Sequence, residues 1–364
     1  MRFLRRREFI TTSAFSLAAA GRRQWAAEAP SSQRRRRIKV GQIGTAHAHA
    51  SGKLQTVRKL ADEFEVVGVV EPDAGLRRKA AENNAYRDIR WLSEEELLAT
   101  RGLDAVLVET EVKQLLSTAK RCIDAGLSIH LDKPAGESLA DFRRLLRVAQ
   151  RKSLCVQMGY MYRHNPAFRF CFQAADQGWL GKIFAVHGVM AKQSSVVERN
   201  RNLPYRGGMM FELGCHLIDA LVRVLGKADS VAPFARNIRR DLDRLPDNQL
   251  AVFEYPSALA TIRVSVTEVD GARRRQFVVC GTNGTIEIRP LEPPELTLTL
   301  NSPKGGYAAG RHRIPLRPMT GRYDDQLRMF AAVVRGETKR EYSAGHDLAV
   351  QEMILRASGV PLQE

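Results

Sequence analysis

Between residues 38 and 160, short apolar runs alternate with amphipathic stretches of helical length, and this alternation constrains the fold more than any other feature. The apolar runs are IKVGQIG (38–44), EVVGVVEPD (65–73), DAVLVET (104–110), LSIHLDKP (127–134) and LCVQMGY (154–160). The stretches between them include VKQLLSTAKRCIDAG and LADFRRLLRVAQRKS, where apolar residues recur at helical spacing. Strands that alternate with such helices form a parallel sheet. We therefore predict an α/β domain with a doubly wound sheet at 38–160.

From residue 180 onward the pattern changes to closely spaced strands. They read as LGKIFAVHGVM, QLAVFEYPSALATIRVSVTEV, QFVVCGTNGTIEIRP and ELTLTLNS. The stretch from Gly281 to Gly284 predicts a tight turn between two antiparallel strands. Two helical segments, DDQLRMFAAVVRGE and HDLAVQEMILRASG, follow near the end. We predict a second, α+β domain over residues 161–364.

The N-terminal segment carries much of the net positive charge and has the pattern of a targeting signal. Residues 5–20, RRREFITTSAFSLAAA, place Arg6 and Arg7 before an apolar, small-residue run, which resembles a twin-arginine export signal. The run is too short to span a bilayer, which takes about 20 residues. We predict a signal and linker over residues 1–37, a partnership with the twin-arginine export machinery and a periplasmic or equivalent location. A basic leader on a cytoplasmic protein is the alternative.

Charge and cysteine content exclude two classes of protein. The formal net charge is +17, but arginines are concentrated in MRFLRRREF, AGRRQW and SSQRRRR, and no basic helix with interleaved aromatic residues follows. A nucleic-acid partner is therefore not predicted. The cysteines are odd in number and lack C-x-x-C spacing, which argues against a disulfide framework or a cysteine zinc site and favours free, buried thiols. They are Cys122, Cys155, Cys171, Cys215 and Cys280.

The turn after the first apolar run carries part of a dinucleotide-binding fingerprint. Gly44 opens GTAHAHA, whereas Ala46 and His49 occupy the places of the second and third glycines of G-x-G-x-x-G. Glu71 ends the next run and could accept from an adenosine ribose, although an exposed acid at a strand end is the alternative. Ligands of doubly wound sheets bind at the carboxyl ends of the strands. The residues predicted at that edge are Gly44, Glu71, Glu109, Lys133 and Tyr160.

A second motif lies at residues 207–219, GGMMFELGCHLID, where Glu212 and His216 are four apart. We predict a helix from Met209 to Leu225, in which positions i and i+4 share one face. The carboxylate and the imidazole could then form a proton-transfer couple, half of a metal site or a satisfied polar pair in a core. No third ligand with recognisable spacing follows, so no metal is predicted.

Four features in fixed order resemble the glucose-fructose oxidoreductase, inositol dehydrogenase and MocA (Gfo/Idh/MocA) family, from about residue 38 to the end. They are Gly44, the pair Lys133-Pro134, the run from Tyr160 to Arg163 and GGMMFELGCHLID. The resemblance implies a Rossmann domain that binds NAD, an open-faced, mainly antiparallel sheet and a homo-dimer or tetramer. It also implies hydride transfer on a carbohydrate-like small molecule. NADP is less expected, because Glu71 would repel a 2′-phosphate.

The resemblance also assigns roles to residues. The family's E-K-P motif appears as Asp132-Lys133-Pro134, in which the proline is often cis, and its D-x-x-x-H motif appears as Glu212-x-x-x-His216. Lys133, Glu212 and His216 are then catalytic, with His216 or a desolvated Lys133 of lowered pKa taking the proton and Glu212 orienting them. Cofactor contacts fall to Gly44, Thr45, Ala46, His47, His49, Glu71, Glu109, Thr110, Asp132 and Lys133. Substrate contacts fall to Arg163, which matches a family position, and to His216. Further substrate contacts are predicted only from proximity to the expected cleft: Tyr160, His164, Asn165, Lys192, Tyr205 and Arg206.

Export would limit the reactions that the protein can catalyse. Free nicotinamide dinucleotide is cytoplasmic, so an exported protein must carry its cofactor and restore it in place. The leading hypothesis is an oxidoreductase with tightly bound cofactor, and the second is a glycoside hydrolase, lyase or epimerase that uses the cofactor transiently. The third is a non-catalytic ligand-binding or assembly protein on the same fold. It is motivated by the missing glycines and by Glu109-Thr110-Glu111, which stands where the family has T-P-N.

Overall fold

The computed structural model describes residues 35–362. The predicted export signal and most of the predicted linker lie outside the described residues. In the part of the chain that is described, no helix combines the length and apolar character needed to cross a bilayer. All five cysteines are free and four are buried, as predicted.

The first sheet has six parallel strands in the order β3-β2-β1-β4-β5-β6. The chain moves outward from β1 to β3 and then returns to the other side of β1, which confirms the predicted doubly wound sheet. The strands are β1 (Ile38–Ile43), β2 (Phe64–Val70), β3 (Trp91–Leu92), β4 (Ala105–Val108), β5 (Ser128–Leu131) and β6 (Val156–Met158). The helices are α1 (Ala50–Lys59), α2 (Ala74–Ala81), α3 (Glu94–Leu98), α4 (Val112–Asp124) and α5 (Leu139–Arg151).

The second sheet has eight strands in the order β14-β13-β12-β11-β7-β10-β9-β8. All neighbours are antiparallel except β7 and β10, which confirms a mainly antiparallel sheet. The strands are β7 (Ile183–Ala191), β8 (Ser230–Arg236), β9 (Asn248–Tyr255), β10 (Ala258–Ser265), β11 (Gln276–Gly281), β12 (Gly284–Leu291), β13 (Pro294–Leu300) and β14 (Gly310–Arg313). The other helices are α6 (Pro166–Asp176), α7 (Val196–Asn202), α8 (Cys215–Leu225), α9 (Asp324–Val334) and α10 (Ala344–Ala357).

Helix α8 packs directly on the inner face of the second sheet. A Cβ added at Gly188 of β7 would come within 3.0 Å of the Leu217 side chain and 2.6 Å of Ile262. The glycine therefore lets the helix and the sheet approach closely, and it fixes the place of the segment that carries Glu212 and His216.

The prediction of a regular α-helix from Met209 was wrong for the first turn. Residues Met210–Gly214 form a π-helical turn, and the α-helix begins at Cys215. The carbonyl oxygen of Glu212 accepts from Lys133 Nζ at 2.7 Å, a donor outside the helix. A carbonyl directed at an outside ammonium is consistent with a locally widened turn, and π turns are frequent at functional sites.

The last two helices return to the first domain. Gln326 of α9 donates from Nε2 to the Met158 carbonyl oxygen at 3.0 Å, and Gln157 Nε2 donates to the Gln326 carbonyl oxygen at 2.8 Å. The last strand of the first sheet, β6, ends at Met158, and the first strand of the second sheet, β7, begins at Ile183. Helix α9, which comes later in the chain, nevertheless packs against β6, the edge strand of the first sheet.

Candidate active site

The loop after β1 is held between the ends of β2 and β4. Glu71 Oε2 accepts from the Thr45 N–H at 2.8 Å and from Thr45 Oγ1 at 2.7 Å, and Glu71 Oε1 accepts from the Asp73 N–H at 3.1 Å. Gly44 has φ +91°, and a Cβ there would lie 2.6 Å from the Thr110 nitrogen. Only glycine fits this turn. The turn brings Gly44 and Glu71 to one edge, as predicted from the strand-end rule, with Thr45 and Thr110 beside them.

Below this loop, the buried carboxylate of Asp132 gathers four neighbours. Its Oδ2 lies 2.7 Å from His47 Nδ1 and 2.9 Å from Lys53 Nζ. Its Oδ1 accepts from the Lys133 N–H at 2.7 Å and lies 3.3 Å from His49 Nδ1. We refer to these residues together with Glu109 as the Asp132 cluster. The structure thus joins His47, His49, Glu109 and Asp132, all of them residues predicted to contact the cofactor.

Sequence reasoning missed Lys53, which is fully buried and bonds Glu109 Oε1 at 2.9 Å as well as Asp132. A signal was present, because Lys53 lies in the inward stripe of α1 with Ala50, Leu54 and Val57. A lysine in an apolar stripe requires buried partners.

Burial and charge shift the pKa values in this cluster in opposite directions. Burial raises the pKa of Glu109 well above its ordinary value, and the adjacent Asp132 adds to the rise. Burial would also raise the pKa of Asp132, but the neighbouring His47 and Lys53 hold it well below its ordinary value. For Lys53, burial is outweighed by Asp132 and Glu109, so its pKa is raised. Of the two carboxyl groups, Asp132 is therefore the one whose ionised form is favoured, and Glu109 is the one whose protonated form is favoured.

Lys133 and Glu212 form the contact predicted from the two family motifs. Lys133 Nζ donates to Glu212 Oε1 at 2.9 Å and to the Glu212 carbonyl oxygen at 2.7 Å, and the peptide bond between Lys133 and Pro134 is cis. Burial acts to lower the pKa of Lys133, but the Glu212 carboxylate outweighs it and raises that pKa. Lys133 likewise holds the pKa of Glu212 at about 2 against burial. The predicted lowered pKa of Lys133 is therefore wrong, because a carboxylate adjoins the ammonium.

The ring of His216 lies beside this pair among aromatic rings. Its centroid is 5.4 Å from that of Tyr162, and 6.3 Å from those of Tyr160 and His49. The Nδ1 atom is buried and has no hydrogen-bond partner in the described part of the chain. Burial, with the charge of Lys133, lowers the pKa of His216 well below its ordinary value. His216 is thus a neutral imidazole at neutral pH.

Two predicted substrate contacts are enclosed elsewhere. Arg163 donates to Asp219 at 2.6 Å and to Asp347 at 2.7 Å, and its guanidinium lies 4.9 Å from the ring centroid of Tyr160. Arg163 and Tyr160 are 3% and 1% exposed. Both side chains are therefore closed to solvent in this structure. Three residues named from proximity also lack a place in the cleft described next: His164, Asn165 and Arg206.

A cleft opens between the loop after β1 and the segment that contains α7. Lys192, which pairs with Glu198 at 3.2 Å, and Tyr205 were predicted near the substrate and lie in its wall. Sequence reasoning missed Lys113 and Arg201. The full lining is Ala46, His47, Ala48, Glu111, Lys113, Lys192, Glu198, Arg201, Asn202, Pro204, Tyr205 and Glu212.

His47, His49 and Asp132 have the donor types of a metal site, with ligand atoms within 4.8 Å of one another. The ammonium of Lys53 lies 2.9 Å from the Asp132 carboxylate, however, and already balances its charge. We assign no metal to this cluster.

A Rossmann domain with a glycine turn, a strand-end carboxylate and a buried lysine, joined to an open sheet, defines a two-domain dinucleotide-dependent oxidoreductase. The family model described as an oxidoreductase family with NAD-binding Rossmann fold matches residues 38–160. The GFO/IDH/MocA C-terminal domain model matches residues 168–287. The chain belongs to the Gfo/Idh/MocA oxidoreductase family.

Relatives and solved structures agree with this assignment. Inositol 2-dehydrogenase 1 of Saccharopolyspora erythraea is 26% identical over 336 residues, covering 90% of this chain and 96% of that protein. The uncharacterized oxidoreductase YhhX of Escherichia coli (strain K12) is 28% identical over 229 residues, covering 62% of this chain and 65% of YhhX. This alignment therefore spans just under two thirds of YhhX. Aldose-aldose oxidoreductase from Caulobacter crescentus shares the fold, with TM-score 0.74, 16% identity and coverage of 89% of this chain and 98% of that one.

Proposed function

We propose that the protein oxidises a hydroxyl group of a sugar, polyol or related hydroxylated compound by hydride transfer to tightly bound NAD. The observation that carries this proposal is the Lys133–Glu212 pair, which lies at the carboxyl edge of the Rossmann sheet where Glu212 lines a polar cleft. Oxidation of a carbinol requires a group that takes or stabilises the hydroxyl proton, and this pair lies where such a group is needed.

The residues at the strand edge fit a dinucleotide. Helix α1 begins without a side-chain cap and has no acid in its first turn, which leaves its positive end for a phosphate. Glu71 accepts three hydrogen bonds, and a carboxylate has about four acceptor positions, so one remains for a ribose hydroxyl. When bound, NAD supplies the acceptor for the hydride that leaves the substrate carbon.

The chain's own residues then act on the substrate oxygen. Lys133 uses two of its three N–H groups on Glu212, which leaves the third for a ligand oxygen. A cation held there stabilises the negative charge that grows on the oxygen as its proton departs. Glu212 fixes the direction of the ammonium, and the ring of His216 is buried nearby against Tyr162.

The cleft suits a hydroxyl-rich ligand. Its wall presents basic, acidic and neutral polar side chains, including Lys192, Glu198, Arg201 and Tyr205. Several convergent donors and acceptors are what a sugar or polyol requires. That one relative is named as a dehydrogenase of inositol supports the same class of substrate.

We propose NAD over NADP because Glu71 places a negative charge at the end of β2, where a 2′-phosphate would lie. Arg77 of α2 follows this position in the chain, but its guanidinium lies 5.3 Å from the ring centroid of Trp91. Fluorescence titrations should show NADH binding more tightly than NADPH. Tighter binding of NADPH would contradict the proposal.

We also propose export by the twin-arginine route with the cofactor already bound. The support is the order Arg6, Arg7, Phe9, Ile10 before a short apolar run. The double variant Arg6→Lys, Arg7→Lys keeps the charge and should remain in the cytoplasm, since the pathway reads the guanidinium pair. Unchanged fractionation would remove the argument for a retained cofactor, and with it the reason to consider redox-neutral glycoside cleavage or epimerisation.

A homo-oligomer that pairs through the second sheet is the remaining part of the proposal. Large apolar side chains remain exposed on strands of this sheet, with Phe234 at 53% and Leu259 at 57%. Such exposure on a sheet is typical of an association surface. Analytical ultracentrifugation should give a dimer or tetramer, and the double variant Phe234→Glu, Leu259→Glu should shift it toward monomer.

The test of the function uses the full chain purified from its own compartment. Absorbance near 340 nm is recorded before and after addition of myo-inositol and a panel of aldoses, and products are identified by mass spectrometry. Bound cofactor that changes redox state, with a ketone or lactone formed, supports oxidation. A cleaved glycoside or an epimer with no lasting redox change favours the redox-neutral alternative. A protein that neither holds nor binds NAD would favour the non-catalytic alternative.

A further inference from the structure

Three histidines lie around the Lys133–Glu212 pair, and their ring nitrogens have different partners. His47 Nδ1 lies 2.7 Å from Asp132 Oδ2, and its Nε2 lies 3.1 Å from the Lys133 carbonyl oxygen. The Nδ1 atom also lies 3.4 Å from the His49 backbone N–H, which can donate to it, so both ring nitrogens are engaged and neither is free for a ligand. His216 has the opposite arrangement, because its buried Nδ1 has no partner among the described residues to orient the ring.

His49 combines an anchored nitrogen with a free one. Its Nδ1 lies 3.3 Å from Asp132 Oδ1, and an ionised carboxylate only accepts, so Nδ1 carries the hydrogen. The Nε2 atom then carries the lone pair, and in the described part of the chain no hydrogen bond engages it. The side chain is 15% exposed. A carboxylate that fixes the tautomer of an imidazole with a free second nitrogen is the arrangement of a general base.

Lys133 is poorly suited to that task. Its ammonium donates to both the carboxylate and the carbonyl oxygen of Glu212. Loss of its proton would leave the buried carboxylate of Glu212 without its cation, which is costly. The raised pKa of Lys133 agrees with a permanent charge.

We propose that His49, oriented by Asp132, takes the proton of the substrate hydroxyl. The inference rests on the proposed function and deepens it. The O–H bond breaks, its electron pair becomes part of the new C=O bond, and the proton bonds to His49 Nε2. The hydrogen on carbon departs with its electron pair as hydride to oxidised NAD, so the alcohol becomes a carbonyl. Asp132 is a positioning residue, and Lys133 stabilises the oxygen.

The first test needs no substrate. In the full chain labelled with ¹⁵N-histidine, NMR at pH 7 should show His49 as the neutral Nδ1–H tautomer, with His49→Gln identifying its signals. Asp132→Asn should shift His49 toward the Nε2–H tautomer, because an amide can donate to Nδ1. An Nε2–H tautomer or an imidazolium in the wild type would overturn the proposal.

The second test measures cofactor binding and turnover, with whichever of myo-inositol and the aldoses reduces the bound NAD as substrate. His49→Ala should lower turnover by about 10² to 10⁴, with partial rescue by added imidazole, and NADH affinity should fall far less than turnover. His187→Ala, on the outer face of the second sheet, is the matched control and should turn over normally. Normal turnover in His49→Ala, or loss of NADH binding without rescue in both His49→Ala and His49→Gln, would overturn the base role.

These results separate the inference from the function on which it rests. A wild type that neither holds nor reduces NAD contradicts the proposed function, whereas the tautomer of His49 still decides whether the Asp132–His49 arrangement exists. The groups that face His49 and bear on its titration are Asp132, Lys133, His47, Glu212, His216 and Tyr323.

Discussion

Two buried ionic clusters in this molecule differ in how completely their charges are paired. Arg163 is held by Asp219 and Asp347, and the ring of Tyr342 lies 4.0 Å from its guanidinium. The Asp132 cluster and the adjoining Lys133–Glu212 pair are equally rich in charge. They leave Glu109 Oε2 and His216 Nδ1 without hydrogen-bond partners among the described residues, and Glu212 opens onto the cleft.

This difference teaches how to separate structural from functional charge in one protein. A network whose cation and carboxylates pair with one another contributes rigidity and offers no unpaired charge to a ligand. A cluster that adjoins a cleft and contains buried polar atoms without hydrogen-bond partners is a better candidate for ligand binding. Residue type alone does not distinguish the two, since each combines buried basic side chains with buried carboxylates.

The largest expected effect is on turnover in Lys133→Ala. Removal of the ammonium should lower turnover by about 10² to 10⁴, because the growing charge on the substrate oxygen loses its stabilising donor. NADH affinity, measured by fluorescence titration, should be retained. Normal turnover in correctly folded Lys133→Ala would show that the Lys133–Glu212 pair is structural, like the Arg163 network.

The matching prediction for the closed network concerns stability. Arg163→Met should lower the free energy of unfolding by about 3 to 5 kcal/mol, because it leaves two buried carboxylates without their cation. Turnover per folded molecule should be normal. Lys120→Met, which breaks an exposed pair with Asp124, is the control and should change stability by about 1 kcal/mol or less. Urea denaturation measures the free energy of unfolding of both variants. An Arg163→Met variant that is stable but inactive would contradict a purely structural role for the Arg163 network.

Two replacements of Glu212 should sharpen the role of the pair. Glu212→Gln keeps an acceptor at the same reach, so it should cost about tenfold in turnover, whereas Glu212→Ala should cost about 10² or more. Equal losses in the two variants would show that the negative charge itself, and not the direction it gives to Lys133, is what matters.

The smallest effect is a displaced pH dependence. Burial lowers the pKa of His49 to about 4, although Asp132 opposes the shift. A base is lost when it is protonated, so kcat/KM should remain level through pH 6.5. It should fall about tenfold per pH unit only below about pH 4. An acid limb centred near pH 6.5 would indicate a histidine in an ordinary environment.

The first domain could be predicted from sequence because its information is local. A buried parallel strand is a short apolar run, and Gly44 and Glu71 follow their strands at positions that the topology fixes. The Lys133 and Glu212 motifs were found by family resemblance, and their contact agrees with it. Lys53 was overlooked although its place in the stripe of α1 required a partner, because the partners Glu109 and Asp132 lie on other strands.

The sequence by itself determined the order of strands and helices, the division into two sheets and the residue types at the strand ends, since these follow from periodicity and chain order. Only the tertiary structure decided which charges are paired. It assigned Arg163 to Asp219 and Asp347, kept Lys133 charged beside Glu212, widened the helix at Met210–Gly214 and left His49 with a free nitrogen. The reason is physical: burial and Coulomb interactions depend on distance in space, and the interacting residues are separated in the chain by up to 184 residues.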